Sequence, residues 1–298
     1  MTDAAGPSGR VLEVLDPGAL TTVQDLGRPG LAYLGVPRSG ALDEPALRLA
    51  NRLVGNPEAA AALEVTLGGV RLRASRSLTL AVTGAGCDVV VAGRAAPFAA
   101  AVSVPAGSEV VLGPAREGLR SYLAPAGGIR VPEVLGSRSH DQLSGLGPAP
   151  LSRGDLLPVG AAVSAPDGSE PVPGRPAPVL RVLAGPRADR LTPESVGGLD
   201  GARYVVGPDS NRVGLRLHGA ALRWTSRDDE LPSEGMVLGA VQVPPDGQPV
   251  VFLNDHPTTG GYPVVGVVRR ADLPVCAQAR PGDELVIRLS PVPEPRRG

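Results

Sequence analysis

The chain has 298 residues, a formal net charge of -1 and no lysine, since all 29 Lys and Arg positions are arginine. The balanced charge argues against a nucleic-acid-binding surface, and the missing lysine excludes a biotinylated lysine, a Schiff-base lysine and a Walker A loop on this chain. Aromatic residues make up only 2 % of the chain, whereas it has 40 glycines and 33 prolines, which argues against a helical bundle and predicts many short strands joined by tight turns.

The first half of the chain predicts a series of strands interrupted by one helix. Residues 11–24 predict two strands around a Pro-Gly turn. Residues 43–56 predict the helix, with Asp43 as its N-cap and Gly55 just past its end. Leu47, Ala50, Leu53 and Val54 would share its apolar face. Further strands are predicted at 60–67, 77–83, 87–92, 100–104, 108–112 and 119–124.

The second half follows a stretch rich in Pro, Gly and Ser. We expect an N-terminal β subdomain over 1–160, a linker over 161–178 and a C-terminal β subdomain over 179–298. A short helix is predicted at 192–197, with Thr192 as its N-cap. Strands of the second half are predicted at 179–184, 203–206, 236–243, 249–253, 263–268 and 284–289. The fold class is therefore mainly β, built as two β-barrel-like halves with a few short helices.

The cysteines, the histidines and the N-terminal residues indicate the compartment. Cys87 and Cys276 are far apart, without a CxxC motif, and we expect two free buried thiols in a reducing compartment. The three histidines lack the spacing of metal ligands, so no metal site is predicted. Residues 1–10 are polar and no apolar run approaches the length of a membrane span. The expected location is the cytoplasm, away from membranes.

Two segments of the first half combine glycines with charged and hydroxyl side chains. Residues 21–44 read TTVQDLGRPG…GVPRSGALDE, and the candidates there are Asp25, Arg28, Arg38, Ser39 and Asp43. Arginine binds carboxylates and phosphates through a planar fork, but the alternative is a set of turns with a surface Arg–Asp pair and a helix cap. Residues 118–139 carry Gly127, Gly128, Arg130, Ser137, Arg138 and Ser139. They suggest an anion site, or merely a Gly-rich corner, and lack GxGxxG spacing.

A third segment, in the second half, is the densest. Its candidates lie at predicted strand ends and are Arg212, Ser233, Glu234, Gln242, Asp255, Thr258, Thr259 and Tyr262. The turn Thr258–Tyr262 would present two hydroxyls, the free amides of Gly260 and Gly261, and a phenol, although the alternative is a hairpin with threonines on its shoulders. No GxSxG motif or adjacent Cys–His pair occurs. The residues alone predict a Gly-rich polar cleft for a small carboxylate or amide.

Long motifs then identify a family. The runs PGALTTVQDLGRPG, YLAPAGGIRVPEVLGSRS, SNRVGLRL, LPSEGMVLGAVQVPPDGQPV and TTGGYPVVGVV resemble the allophanate hydrolase subunit 2 and biotin-dependent carboxyltransferase family. The resemblance extends from about Val11 to Leu289. Within the family, a chain of this length is similar to members that belong to bacterial ATP-dependent 5-oxoprolinase and to antagonists of histidine-kinase inhibitors.

The resemblance implies cyclophilin-like β-barrels and ATP-dependent opening of 5-oxo-L-proline to L-glutamate. It implies two partners, a B-type 5-oxoprolinase protein of the allophanate hydrolase subunit 1 family and an A-type one, with ATP and Mg²⁺ used by the complex and no biotin attached to this chain. An alternative is a carboxyltransferase-type protein that acts on urea or another amide with carboxybiotin carried elsewhere. A further alternative is a non-catalytic antagonist of a histidine-kinase inhibitor, which would need a partner surface but no catalytic cleft.

The resemblance also suggests roles for the matched positions. Arg28 and Arg212 would hold a carboxylate or phosphate. Thr258, Thr259 and the amides of Gly260 and Gly261 would stabilise developing negative charge. Asp25, Glu234 and Tyr262 would handle protons or orient the substrate. Further substrate contacts would come from Ser39, Asp43, Ser233, Gln242, Gly260 and Gly261.

This chain departs from the family pattern in several places, and Val213 is one of them, since a methionine is expected there. Asn211 stands where an aspartate is expected, Pro257 where a glutamine is expected, and His140 where a threonine is expected. Asn211 weakens any role for an acid beside Arg212, whereas His256, which precedes Pro257, could serve as a polar contact.

Overall fold

The computed structural model describes residues 9–164, 174, 177–226 and 231–290. Within these residues the chain is mainly β with a few short helices, which confirms the predicted fold class. It forms two compact units, described as far as those ranges allow. The first contains Met1–Arg28, Ser39–Asp141 and Gly145–Gly174, and the second contains Pro29–Arg38, Gln142–Ser144 and Arg175–Gly298. Most of the predicted linker lies outside the described residues, so the domain bounds 1–160, 161–178 and 179–298 stay predictions.

Eleven strands and one helix are described in the first unit. The strands are β1 (Arg10–Asp16), β2 (Leu20–Gln24), β3 (Ala62–Thr66), β4 (Arg71–Ala74), β5 (Leu78–Gly84), β6 (Val89–Val91), β7 (Arg94–Ala96), β8 (Val102–Val104), β9 (Glu109–Leu112), β10 (Arg120–Pro125) and β11 (Leu156–Val159). The helix is α1 (Glu44–Leu53).

These strands form two antiparallel sheets. One has the order β11-β1-β4-β9-β6-β7 and the other the order β2-β3-β10-β5-β8. Alternate residues of both sheets join one apolar cluster, for example Leu12 and Val14 of β1 with Leu63 and Val65 of β3. The period-2 alternation of strands therefore places every second residue in this core and leaves the intervening residues on the outer faces.

Helix α1 covers the other face of the five-stranded sheet. Asp43 caps it by accepting a hydrogen bond from the amide of Ala46 at 3.1 Å, and Pro45 lies in its first turn. Past the C-cap Val54, Gly55 takes a left-handed φ of 70°, which terminates the helix. The buried face packs in a cluster with β3, β5 and β10, whose members include Leu47, Ala50, Leu53, Ala62, Ala81, Tyr122 and Ala124.

The second unit is built on a closed barrel. Its described strands are β12 (Val179–Ala184), β13 (Arg203–Val206), β14 (Gly214–Gly219), β15 (Glu234–Gly235), β16 (Ala240–Gln242), β17 (Val250–Phe252), β18 (Thr259–Gly260), β19 (Val264–Val268) and β20 (Glu284–Ser290). Its helices are α2 (Pro193–Gly198) and α3 (Leu273–Gln278), and 3-10 turns lie at Ala32–Leu34, Ala188–Arg190 and Arg270–Asp272. The barrel order is β12-β19-β16-β17-β14-β13-β20, and β15 pairs with β18 as a separate ribbon.

The two units differ in whether their strands close into a barrel. In the second unit, β12 pairs in parallel with β20, and this pairing of its first and last strands removes the free edges. In the first unit, the strands form two separate sheets, so the predicted barrel-like half is observed as a pair of packed sheets. Among the described residues, no helix is long and apolar enough to cross a bilayer.

Candidate functional site

The two candidate segments of the first unit meet at the carboxylate of Asp25. Its Oδ1 accepts hydrogen bonds from the hydroxyls of Ser137 and Ser139, both at 2.6 Å, and from the amide of Gly27 at 2.7 Å. Its Oδ2 accepts from the amide of Arg138 at 2.7 Å. Asp25 is buried and supplied with donors, so its charge holds two distant segments together.

Arg28 and Ser39 lie beside this carboxylate and contact the same segment. The guanidinium of Arg28 donates to the carbonyls of Val134 at 3.2 Å and Ser139 at 2.6 Å. The hydroxyl of Ser39 donates to the carbonyl of His140 at 2.9 Å. Ser39 is fully buried and has a left-handed φ of 59°, which is unusual for a residue other than glycine. Backbone strain of this kind occurs often at binding and catalytic sites.

Gln24 belongs to the same cluster, although its position in a strand gave no sign of this in the sequence. Its Nε2 donates to the hydroxyl of Thr22 and to the carbonyl of His140, both at 3.0 Å. Its Oε1 is buried without a hydrogen-bond partner among the described residues. A buried acceptor without a donor is costly, so a water or a ligand N–H would be stabilised there.

Asp43 is the N-cap of α1, and the structure adds two residues beside it that sequence reasoning missed. The amide of Asp43 donates to the Tyr122 hydroxyl at 2.8 Å, and that hydroxyl donates to Glu64 Oε2 at 2.7 Å. The amide of Leu42 donates to the same Glu64 oxygen at 3.0 Å. The available signal was Glu64 itself, a carboxylate inside the apolar run 60–67.

The Gly-rich corner at 127–138 is explained by its backbone. Gly127 has a left-handed φ of 99°, and a Cβ there would lie 2.1 Å from the Gly160 carbonyl oxygen. Only glycine permits this close approach. Arg130 donates from Nε to the Gly127 carbonyl at 3.1 Å, and Arg138 pairs with Glu133 at 2.5 Å. These contacts favour the structural alternative for the corner, while Ser137 and Ser139 join the Asp25 cluster.

The second unit gathers most of the third segment at the β15–β18 ribbon. Glu234 pairs with Gly260, and Gly235 pairs with Thr259. Gln242 donates from Nε2 to the Tyr262 carbonyl at 3.1 Å. A Cβ on Gly260 would lie 2.9 Å from that Nε2 atom, so Gln242 holds the turn closely. The turn therefore brings Glu234, Gln242, Thr258, Thr259, Gly260, Gly261 and Tyr262 together.

The accessible groups of this ribbon are aromatic and hydroxyl-bearing. Thr259, Gly261 and Ser233 are exposed, and Tyr262 is 46 % exposed. The Tyr262 ring meets Trp224 edge-on, with ring centroids 6.4 Å apart. Amides and hydroxyls on a glycine-rich turn beside aromatic rings can bind a small polar molecule with an anionic oxygen.

Glu234 is engaged by an arginine. Its carboxylate accepts from Arg187 Nε at 2.9 Å and also from Arg187 Nη2. These hydrogen bonds are the main reason that the pKa of Glu234 is lowered, with Arg190 contributing as a nearby charge. A carboxylate that stays ionised is poorly matched to proton transfer near neutral pH, which opposes the predicted proton-handling role.

Arg212 and Asp255 form a buried ion pair. Arg212 Nε and Nη2 donate to the two carboxylate oxygens at 2.8 and 3.0 Å, and both residues are at most 1 % exposed. The amide of Gln142 adds a third donor to Asp255 at 2.9 Å. The fork of Arg212 thus faces an internal carboxylate, which competes with the predicted binding of a ligand anion.

The described residues give little support to a cysteine nucleophile or to a metal site. Burial raises the pKa of Cys276 to about 12 and also raises that of Cys87, so neither thiol is primed as a nucleophile. In the described part of the chain, His, Cys, Asp and Glu form no group that could hold a metal ion. A cavity of about 360 Å³ in the second unit is lined by Pro178, Val275, Gln278 and Asp283, among others, and by none of the candidate residues.

Comparison with known proteins matches this chain to a family model and to a curated relative, each over most of its length. Residues 34–289 match the family model described as "Carboxyltransferase domain, subdomain A and B". The chain is 40 % identical over 275 residues to the C-type subunit of 5-oxoprolinase from Escherichia coli (strain K12), a match that covers 90 % of this chain and 87 % of the relative.

Two solved structures are also similar. TTHA0988 matches with a TM-score of 0.84 and 38 % identity, over 95 % of this chain and 56 % of that chain. K. lactis urea amidolyase matches with a TM-score of 0.86 and 32 % identity, over 95 % of this chain and 19 % of that chain. The chain thus spans little more than half of TTHA0988 and about a fifth of the amidolyase. With a family model matched over most of its length, the chain belongs to the carboxyltransferase-domain family, subdomains A and B.

Proposed function

We propose that this chain is the C-type subunit of an ATP-dependent 5-oxoprolinase complex, which converts 5-oxo-L-proline to L-glutamate. The observation that carries the proposal is the 40 % identity to the E. coli protein of that name, which extends over nine-tenths of this chain. The Gly-rich turn of the second unit supports it, because the exposed Thr259 and Gly261 suit contact with a small amide substrate that carries a carboxylate.

The chemistry of the reaction is activation followed by hydrolysis. The lactam oxygen attacks the terminal phosphorus of ATP and ADP leaves, which gives an activated imidate phosphate. One water then adds to the lactam carbonyl carbon, and the ring C–N bond breaks as the nitrogen takes up protons, which gives γ-glutamyl phosphate. A second water displaces phosphate from that carbon and releases L-glutamate. The negative charge that develops on oxygen requires oriented donors.

The residues of this chain divide into binding groups and supporting groups. We assign Thr258, Thr259 and the amides of Gly260 and Gly261 to oxygen stabilisation, and Tyr262 to substrate orientation. In the first unit, Arg28 and Ser39 remain candidates for substrate contact, and Asp25 positions them through Ser139 and Gly27. Arg212 and Glu234 support the second unit through their ion pairs with Asp255 and Arg187.

The N-termini of the described helices do not suit an ATP phosphate. Asp43 and Glu44 begin α1 with two acidic side chains, which repel a phosphate from that helix N-terminus. α2 and α3 each have six residues, and the sequence lacks the P-loop lysine. No step of the proposal therefore places ATP on this chain, and nucleotide and Mg²⁺ are used by the complex.

The remaining parts of the proposal concern partners and location. We propose that this chain forms a hetero-oligomer with a B-type protein of the allophanate hydrolase subunit 1 family and with the A-type protein of 5-oxoprolinase. We place the complex in the cytoplasm, because Cys87 and Cys276 are free and suit a reducing compartment.

A second candidate is carboxyl transfer to urea, favoured by the match to urea amidolyase. The chain carries no biotinyl lysine, so this activity would require carboxybiotin on another protein. The two candidates differ in the product they form from their substrates.

The test gives the co-purified complex of this chain with its A-type and B-type partners either 5-oxo-L-proline or urea, together with ATP, Mg²⁺ and bicarbonate. We expect L-glutamate from 5-oxo-L-proline and no carboxylated product from urea. The Thr258→Val complex should lose at least tenfold in kcat, because it lacks one donor to the developing charge. Carboxylated urea without glutamate would overturn the proposal, and unchanged kcat in Thr258→Val would remove Thr258 from the site.

A further inference from the structure

A polar row crosses the middle of the five-stranded sheet beneath α1. Thr22, Glu64, Tyr122 and Thr83 are direct cross-strand partners on β2, β3, β10 and β5. All four side chains are at most 2 % exposed. The adjacent row on the opposite face is wholly apolar and consists of Val23, Leu63, Leu123 and Val82.

Apolar residues would fill such a row at lower cost. A buried carboxylate carries a desolvation penalty that an apolar side chain would not, even with the Nε of Arg120 lying 3.5 Å from Oε1 of Glu64. Burial, with Glu64 and Asp43 nearby, raises the pKa of the Tyr122 phenol well above its usual value, so it stays protonated and donates to Glu64. Such a row suggests a purpose beyond packing.

The hydrogen bonds of Glu64 and Tyr122 act on one loop, Ser39–Asp43. The Leu42 amide donates to Glu64 and the Asp43 amide to Tyr122, while the Ala41 amide donates to the Asp25 carbonyl at 2.9 Å. Gly40 lies so close to the 26–27 backbone that a Cβ would come within 2.8 Å of the Gly27 amide nitrogen. Three successive amides thus fix the loop that starts at the strained Ser39.

The first residue of the loop, Ser39, lies in the cluster that contains the unsatisfied acceptor. Ser39 and Gln24 both donate to the His140 carbonyl, and Gln24 Oε1 remains without a described partner. The geometry points to Glu64 and Tyr122 as positioning residues: they hold the Ser39–Asp43 loop so that Ser39 meets the amide substrate beside Gln24. This role rests on the proposed function, and neither residue touches the reacting atoms.

Thr83 supplies a matched control. It lies in the same row and is fully buried, but its hydroxyl donates to the Ala46 carbonyl at 2.7 Å, within the body of α1 rather than the loop. Thr83→Val and Tyr122→Phe each remove one buried hydroxyl with little change of shape. A role confined to stability would lower the unfolding midpoint of each variant without a selective loss of kcat/KM in Tyr122→Phe.

The experiment measures kcat and KM for 5-oxo-L-proline in complexes that carry Tyr122→Phe, Glu64→Gln or Thr83→Val. We expect Tyr122→Phe and Glu64→Gln to lower kcat/KM about tenfold or more, and Thr83→Val to change it less than twofold at a similar unfolding midpoint. In a Ser39→Ala background the effect of Tyr122→Phe should shrink to less than threefold, because both act through one loop.

Hydrogen exchange of the same chain separates this proposal from the proposed function. Tyr122→Phe should accelerate exchange of the Leu42 and Asp43 amides at least tenfold over Thr83→Val, whatever the substrate of the complex. A wild-type complex that releases no glutamate would overturn the proposed function, and the exchange result would then decide the positioning role. Equal loop exchange in the two variants, or equal loss of kcat/KM, would overturn the positioning role.

Discussion

At the scale of single residues, the buried pair Arg212–Asp255 limits which substitutions can test the candidate site of the second unit. Both partners are nearly inaccessible and joined by two hydrogen bonds. Removing one partner leaves a buried charge without compensation, whereas removing both replaces the pair by apolar packing. Loss of activity on changing Arg212 alone would therefore report on folding, so Thr258 is the better probe of catalysis.

We predict that Arg212→Met lowers the free energy of unfolding by about 3–5 kcal/mol. Arg212→Met/Asp255→Leu should recover more than half of that loss, although the Gln142 amide then lacks its acceptor. Denaturant unfolding of the purified chain measures both. An Arg212→Met variant as stable as the wild type would contradict this account of the pair.

The sequence predicted several site residues but few of their contacts. It singled out Asp25 and Arg28 in one segment, and Ser137 and Ser139 in another, because charged and hydroxyl groups between glycines are visible within each segment. It could not show that Asp25 accepts hydrogen bonds from Ser137 and Ser139, which lie 112 and 114 positions away. Gln24 and Tyr122 were missed because each looks like an ordinary strand residue until the sheet register places it.

At the scale of elements, helix α1 was predicted best, because caps and apolar spacing are local signals. The helix runs over Glu44–Leu53, inside the predicted 43–56, with the expected N-cap. Strand β4 (Arg71–Ala74) was missed, since alternate arginines face solvent on it. The predicted strand 236–243 is reduced to Ala240–Gln242, because Gly239 turns the chain with a φ of 83°.

We predict that Asp43 acts as a cap through its side-chain oxygen rather than through its charge. Asp43→Ala should lower the free energy of unfolding by about 1 kcal/mol, whereas Asp43→Ser should cost only a few tenths. Denaturant unfolding followed by circular dichroism measures the difference. If Asp43→Ser were as unstable as Asp43→Ala, the carboxylate charge would be the important feature, as a substrate contact would require.

At the scale of the whole molecule, mainly β architecture followed from composition, while the closure of the sheets did not. The pairing of β12 with β20 joins strands separated by about a hundred residues, and no local pattern encodes it. The order of the family motifs was more informative than any single site residue, because it covers nearly the entire chain and agrees with the matched family model.

The most direct test of the central claim is ATP-dependent release of L-glutamate from 5-oxo-L-proline by the A-type and B-type partners, with and without this chain. We predict background release without the chain, and full release when the purified chain is added back at equal molar amounts. An added Thr258→Val chain should bind the partners but restore less than a tenth of the rate. Undiminished release by the two partners alone would contradict the assignment of this chain as an obligatory part of the enzyme.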